Sequence, residues 1–302
     1  MTPAAPPAEQ HHSLLTPDGV ALAYRLTRRG TPRPAVVLLH GMASNMTRWS
    51  EFVANTRLGE DWDVLRLDLR GHAESISHGR IGMDVWCADL AAILDAEAIP
   101  DAILVGHCMG ANLALHFADR HPARVRTLVL IEPMYREALT GTLARSARFR
   151  PLISLAVPAL RLMARLGLYR RKLPPIDLAK LDQEAREHIA AEKAGFPSQR
   201  YASPLEDLRH FPLVAYVQDM LAVTGPLPPP ESIRAPVLVL LSQGSDFASP
   251  TLTARLLESL PAGRIEQLDA EHWIPTEQPD VMRTLIEQWC DQHRRQDSDQ
   301  QI

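Results

Sequence analysis

The residues Leu104 to Ala111, LVGHCMGA, constrain the fold more than any other part of this sequence. An apolar run typical of a buried strand leads directly into a Gly-x-Cys-x-Gly pentapeptide, and a helical pattern rich in Ala and Leu follows. A chain can turn from strand to helix so sharply only where small residues flank the turn, a need that Gly106 and Gly110 meet. The sequence therefore predicts that Cys108 stands on a tight turn at the carboxyl edge of a sheet.

Strands and helices are predicted to alternate on both sides of this turn. Short apolar runs typical of buried strands occupy residues 35–39, 63–67, 102–105, 125–131, 235–241 and 264–268. Helical patterns occupy residues 83–98, 109–120, 251–260 and 279–293. The alternation predicts an α/β fold with a mostly parallel sheet flanked by helices.

The alternation breaks between residues 135 and 230, where prolines punctuate apolar and basic helical stretches. A structureless loop of this length is uncommon inside a domain, so we interpret 135–230 as a helical cap inserted into the core. The core then comprises 13–134 and 231–293. We expect a disordered leader at 1–12 and a disordered tail at 294–302.

Composition and charge bear on which partners, cofactors and location are expected. The chain has 302 residues and a formal net charge of −4 without a long run of one sign, so no nucleic-acid partner is expected. It shows neither a signal-peptide pattern nor a spanning apolar stretch, which predicts a cytoplasmic protein without a membrane partner. Three cysteines fit no metal motif, and neither a metal nor a cofactor is expected. Cys87 and Cys290 lie in apolar helical stretches typical of buried thiols.

A candidate nucleophile, acid and base follow three of the predicted core strands. Cys108 begins a helix, whose positive end favours a thiolate. Asp246 and His272 each follow a later strand, and the carboxyl ends of parallel strands meet at one edge. His272 is expected to deprotonate Cys108, while Asp246 orients the imidazole and stabilises its cation. Glu132, at the end of another strand, is the alternative acid.

Two backbone N–H groups are expected to form an oxyanion hole. One belongs to Met109, directly after Cys108, and the second to Met42 in the turn after an early strand. Three histidines near predicted strand ends, His40, His72 and His107, are expected to hold loops by hydrogen bonds. Their spacing resembles no compact metal site.

Five motifs together resemble the α/β-hydrolase superfamily over roughly residues 19–293. They are His40-Gly41, Asp68-Leu69-Arg70-Gly71-His72, Gly106-His107-Cys108-Met109-Gly110, Gly244-Ser245-Asp246 and Glu271-His272-Trp273. The resemblance implies an α/β-hydrolase fold, the nucleophile, acid and histidine roles of Cys108, Asp246 and His272, and a cap at about 135–230. The sequence departs from the common pattern at Cys108, because serine is usual there. Cysteine occurs in subsets such as dienelactone hydrolases, polyhydroxyalkanoate synthases and some terminal thioesterases.

A cysteine nucleophile would store an acyl group as a thioester, which stays activated for transfer. We therefore predict a thioesterase or acyltransferase that acts on a small acyl substrate, carried on coenzyme A or on an acyl or peptidyl carrier protein. Five cap cations are candidates to meet a phosphate or an acidic carrier, or else form a solvated face: Arg161, Arg165, Arg170, Arg171 and Lys172.

Three alternatives remain open. The chain could hydrolyse an ester, a lactone or a carbon–carbon bond beside a ketone, since the fold hosts all of these reactions. It could be a non-catalytic ligand-binding protein on the same fold. Taken alone, Cys108 could also be a buried structural thiol.

Overall fold

The computed structural model describes residues 8–31, 33–192, 196 and 201–294. Within these residues an eight-stranded sheet runs in the order β1-β2-β4-β3-β5-β6-β7-β8. The strands are β1 (Gln10–Leu15), β2 (Ala21–Thr27), β3 (Ala35–Leu39), β4 (Asp63–Leu67), β5 (Ala102–His107), β6 (Val125–Ile131), β7 (Val237–Ser242) and β8 (Gly263–Leu268). Strand β2 is antiparallel to both of its neighbours, and the pairs from β4 across to β8 are parallel.

Helices cover both faces of the sheet, which confirms the predicted α/β fold. In the core they are α1 (Ser50–Asn55), α2 (Met83–Ala96), α3 (Met109–Arg120), α9 (Pro250–Leu257), α10 (Ile274–Glu277) and α11 (Pro279–Gln292). Successive residues of β3 point to opposite faces, so Val37 packs in the cluster with α2 and α3, whereas Leu38 packs in the cluster with α1 and α11. The central strands are therefore buried on both faces, as their continuous apolar runs predict.

The structure contradicts the predicted disordered leader at its last residues. Residues 10–12, expected to be disordered, form the start of β1, where Gln10 pairs with Leu26 and His12 with Tyr24 of β2. The prediction failed there because an edge strand with mostly polar side chains lacks the apolar run of a buried strand. Glu9, also in the predicted leader, forms an ion pair with Arg66 at 2.6 Å. Residues 1–7 of the leader and residues 295–302 of the tail lie outside the described part of the chain.

The described residues between β6 and β7, where the sequence predicts a cap, are mainly helical. They form α4 (Gly141–Arg148), α5 (Arg150–Arg165), α6 (Leu178–Glu192), α7 (Pro204–His210) and α8 (Leu213–Val223). Two buried ion pairs join the cap to the core: Arg48 donates to Asp182 of α6, and His72 lies 3.0 Å from Asp219 of α8. Across the described residues, no helix combines the length and the apolar character needed to cross a bilayer.

Candidate active site

The turn between β5 and α3 has the sharp geometry that its glycines predict. Cys108 sits at φ 53° and ψ −115°, a conformation that side chains other than glycine rarely adopt. A Cβ atom added at Gly106 would lie 2.3 Å from the carbonyl oxygen of Gly110, and one added at Gly110 would lie 2.3 Å from that of Leu39. Both positions therefore exclude any larger residue, and the close packing holds Cys108 at the carboxyl edge of the sheet.

Strand pairing places Glu132 beside this turn. The backbone N–H of Cys108 donates to the carbonyl of Ile131, 2.8 Å away, so the ends of β5 and β6 lie side by side. Glu132 follows at φ 52° and is buried, with 3% of its surface exposed. One carboxylate oxygen, Oε1, accepts from the backbone N–H of Ser242 at 2.6 Å. The other oxygen is left to face the loop after β8.

His272 lies in that loop, between Glu132 and Cys108. Its Nδ1 is 3.1 Å from Oε2 of Glu132, and its imidazole also hydrogen-bonds Cys108. Burial alone lowers the pKa of His272, but the hydrogen bonds to Cys108 and Glu132 outweigh burial and raise this pKa to about 9. The rings of Phe247 and Trp273 pack against the imidazole, with centroids 4.8 and 5.3 Å away. The predicted meeting of Cys108 and His272 is therefore observed.

The preferred acid, Asp246, does not take the expected position, and the alternative, Glu132, contacts His272 instead. Asp246 lies four residues beyond the end of β7, in a loop tied to the start of the cap. Its backbone carbonyl accepts from Thr140 Oγ1 at 2.9 Å, while its side chain is exposed at the cavity wall. Phe247, the next residue, packs on the imidazole. Glu132 contacts His272 because Glu132 follows β6, the strand next to β5 in the sheet. The carboxylate of Glu132 is also buried and held by the backbone N–H of Ser242.

The two residues whose N–H groups are predicted to form an oxyanion hole are both near Cys108: Met109 follows it in the chain, and Met42 lines the same cavity. Met109 is the first residue of α3, and the N–H groups of a first helical turn have no partner within the helix. Met42 lines the cavity at Cys108, and the adjacent Gly41 lies so close that an added Cβ would be 3.3 Å from Cβ of Cys108. Their role in stabilising an oxyanion stays a prediction.

The three histidines expected to hold loops do so. Nε2 of His40 accepts from the backbone N–H of Leu69 at 3.0 Å, joining the turns after β3 and β4. His107 lies with Nε2 3.1 Å from the carbonyl of His272 and so fixes the loop that carries the imidazole. His72 faces Asp219 of the cap. These contacts position the loops around Cys108.

A cavity of about 450 Å³ opens above Cys108 and His272. Sequence reasoning missed several polar residues that line it, among them Arg48, Tyr201, Asp207 and Tyr216. The last three belong to the cap, where no motif marks them and only tertiary packing brings them to the site. Burial raises the pKa of Asp207 to about 7, so this carboxyl group is partly protonated near neutral pH.

The cap cations predicted to meet a phosphate do not line this cavity. None of Arg161, Arg165, Arg170, Arg171 and Lys172 is among its lining residues. The apolar lining comes instead from the cap residues Leu143, Met220 and Val223 and from Phe247 of the core. The walls thus combine apolar area with a few polar groups, as small-molecule sites do.

Comparisons with known proteins agree with the fold and with a hydrolytic site. A family profile described as alpha/beta hydrolase fold matches residues 34–279. A 2-hydroxy-6-oxo-2,4-heptadienoate hydrolase of Pseudomonas putida is 31% identical over 200 residues, which cover 61% of this chain and 71% of the relative. The lipase LipV of Mycobacterium tuberculosis is 28% identical over 86% of this chain and 94% of its own length.

A solved structure shows the same architecture at lower identity. The enol-lactonase from Burkholderia xenovorans LB400 superposes with a TM-score of 0.65 at 19% identity, covering 93% of this chain and all of its own. At that identity the likeness concerns the fold alone.

Proposed function

Since the chain belongs to the α/β-hydrolase family, we propose that it hydrolyses a small carbonyl substrate, an ester, a lactone or a carbon–carbon bond beside a ketone, through a Cys108 thioester. One observation carries this proposal: a thiol on a strained turn hydrogen-bonds a buried imidazole, whose other nitrogen faces a buried carboxylate. The thiol opens onto a cavity that a small molecule can enter. This is the arrangement of a nucleophile, a general base and an orienting acid.

The first half-reaction follows from these contacts. The Cys108 thiolate attacks the substrate carbonyl carbon, and the oxyanion that forms is stabilised by the N–H groups of Met109 and Met42. His272 as imidazolium gives its proton to the leaving alcohol or carbanion, which departs and leaves a thioester on Cys108. Glu132 stabilises the imidazolium and fixes the ring so that its other nitrogen faces the sulfur.

The second half-reaction returns the enzyme to its starting state. His272, now neutral, removes a proton from a water molecule as the water attacks the thioester carbonyl. The carbon–sulfur bond then breaks, and the products are a carboxylic acid, the Cys108 thiolate and the His272 imidazolium. Atoms and charge balance with water as the only second reactant.

Hydrolysis is preferred to the acyl transfer that the cysteine by itself favours. The relatives named above include a dienoate hydrolase and a lipase, both named for hydrolytic reactions. The described walls of the cavity hold Arg48 and Arg145 but not the larger cluster of cations that a coenzyme A phosphate calls for. Acyl transfer from a thioester donor remains the second candidate, because Cys108 is the observation that favours it.

A substrate panel separates these candidates. We would measure kcat/KM with aryl esters, lactones, a 6-oxo-dienoate and acyl thioesters of coenzyme A, each in water alone and with added amine, alcohol or thiol acceptors. Hydrolysis predicts free acid in water at a rate that acceptors do not raise. Transfer predicts little turnover until an acceptor is present.

The variant pair Cys108→Ala and Cys290→Ala supplies the control. Both thiols are buried, but Cys290 lies in α11 away from the cavity. Activity that survives Cys108→Ala, or no turnover with any donor, contradicts the proposal and supports the non-catalytic alternative.

A further inference from the structure

Helix α5 of the cap presents a row of large apolar side chains to solvent. Leu152, Leu155, Leu162, Met163 and Leu166 are between 45% and 74% exposed, and their spacing puts them on one face of the helix. Phe149, Leu168 and Tyr169 extend the exposed apolar area at the two ends. We call these eight residues the α5 face. Contiguous apolar surface of this kind marks an interaction site.

The opposite side of α5 already has its partners in the chain. Ala164 is buried, and Ile153, Val157 and Leu160 are partly buried towards the rest of the cap. Arg150, at the start of α5, donates through Nε to the carbonyl of Leu221 in α8 at 3.2 Å. The α5 face is therefore not a misplaced core face, since the helix buries a different side.

The segment of the chain that carries α5 has charges of one sign. Between residues 138 and 176 the sequence has no Asp or Glu, although the chain carries 36 of them. The same segment holds eight cations: Arg145, Arg148, Arg150, Arg161, Arg165, Arg170, Arg171 and Lys172. Most of them are exposed. An apolar helix face bordered by Lys and Arg is the pattern of helices that lie in the interface of an anionic bilayer.

We propose that the α5 face docks this protein on an anionic lipid surface. Sixteen residues give α5 a length of about 24 Å, and it lies along the interface with its leucines among the acyl chains and its arginines at the headgroups. A second copy of the chain is a poorer occupant, because a symmetric contact would bring the two sets of cations together. The proposal departs from the expectation of no membrane partner, which considered only spanning segments.

Lipid docking would also place the candidate active site near the bilayer. Helix α8 packs against α5, and the α8 residues Tyr216, Met220 and Val223 line the cavity at Cys108. The docking surface and the cavity are thus two sides of the same layer of the cap. Docking on lipid does not require turnover, so a binding measurement detects it whatever reaction Cys108 carries out.

Vesicle co-sedimentation of the full chain tests the proposal. Vesicles of phosphatidylcholine mixed with phosphatidylglycerol should bind the protein, and pure phosphatidylcholine should bind it at least tenfold more weakly. The double variant Leu155→Gln and Leu162→Gln should lower the partition coefficient roughly tenfold or more, because two leucines no longer enter the apolar layer. Arg170→Gln with Arg171→Gln should reduce binding and its dependence on salt.

A matched control comes from the far edge of the sheet. Leu15 in β1 is 70% exposed, as the leucines of the α5 face are, so Leu15→Gln should leave vesicle binding unchanged. Circular dichroism and the melting temperature verify that the variants are folded. Absence of wild-type binding to anionic vesicles overturns the proposal. So does a dimer in sedimentation velocity that Leu155→Gln with Leu162→Gln dissolves, because a second copy then covers the face.

Discussion

The floor and the roof of the cavity at Cys108 are built in different ways. The floor consists of side chains at the ends of parallel strands, where Cys108, Glu132 and His272 are buried. Each of the three residues is held by a hydrogen bond to a neighbouring residue. The roof consists of cap helices, which pack on the core through apolar residues such as Leu143, Ala215 and Val223 and through buried ion pairs. The same helices expose the leucines of α5.

This difference separates two kinds of function. Bond-making chemistry requires fixed distances, which the strand ends supply because their hydrogen-bonded register leaves them little freedom. Recognition of different substrates and surfaces requires residues that can vary. The helices inserted between β6 and β7 supply such residues without disturbing the sheet. Substitutions in the floor should therefore abolish turnover, whereas those in the roof should change selectivity or binding.

The largest effect is expected at the thiol itself. Cys108→Ala removes the nucleophile, so kcat/KM for the best panel substrate should fall roughly ten-thousandfold. Cys87→Ala should change it little, because burial raises the pKa of the Cys87 thiol to about 11 and keeps it neutral. Steady-state kinetics of the two purified variants make the comparison, and equal activities would refute a nucleophilic Cys108.

The second comparison is between the buried carboxylate of Glu132 in the floor and the exposed carboxylate of Asp246 at the cavity wall. Glu132→Gln leaves His272 without its anionic partner, so kcat should fall about a hundredfold or more. Asp246→Asn changes an exposed side chain and should alter kcat by no more than about threefold. The reverse ranking in initial-rate measurements would restore Asp246 as the acid.

The turn glycines should show how tightly the floor is packed. Gly106→Ala puts a methyl group 2.3 Å from a backbone oxygen, which should lower the free energy of unfolding by about 3 kcal/mol or more. Gly244→Ala is the matched control, because nothing lies within 4 Å of its added Cβ. Urea denaturation followed by circular dichroism measures both, and similar midpoints would contradict the packing of the turn.

The smallest effect concerns pH. The pKa of His272 is about 9 in the folded chain and 6.5 in the unfolded reference, so its protonation stabilises the fold. This contribution, up to about 3 kcal/mol, is complete below pH 6.5 and is lost as pH rises towards 9. Urea titrations across this range should show a steeper loss of stability in wild type than in His272→Gln, and parallel curves would contradict the raised pKa.

Much of the floor was predictable from the sequence because its signals are local. The apolar run before Gly106, the glycine spacing and the position of His272 after a strand each lie within a few residues. The carboxylate that contacts His272 could not be identified from such local signals. Whether Glu132 or Asp246 reaches His272 depends on strand order and on how far each loop extends, and neither is a property of a short stretch of sequence.

For the roof, the sequence predicts helices but not how the helices are oriented. Proline-punctuated helical patterns indicated a helical cap, but the direction in which each helix faces depends on its packing. Sequence alone therefore revealed neither Tyr201, Asp207 and Tyr216 in the cavity nor the outward orientation of Leu155. The edge strand β1 was missed because its mostly polar residues do not show the apolar run of a buried strand.

The central claim is that Cys108 forms a thioester with the substrate during hydrolysis, and intact-protein mass spectrometry tests it most directly. The wild-type chain and the Glu132→Gln variant would be mixed with the best panel substrate, quenched in acid within one turnover, and digested to map the modified residue. The account predicts an acyl mass on Cys108 that disappears as free acid is released. Turnover without any adduct on Cys108, or an adduct on another residue, would contradict it.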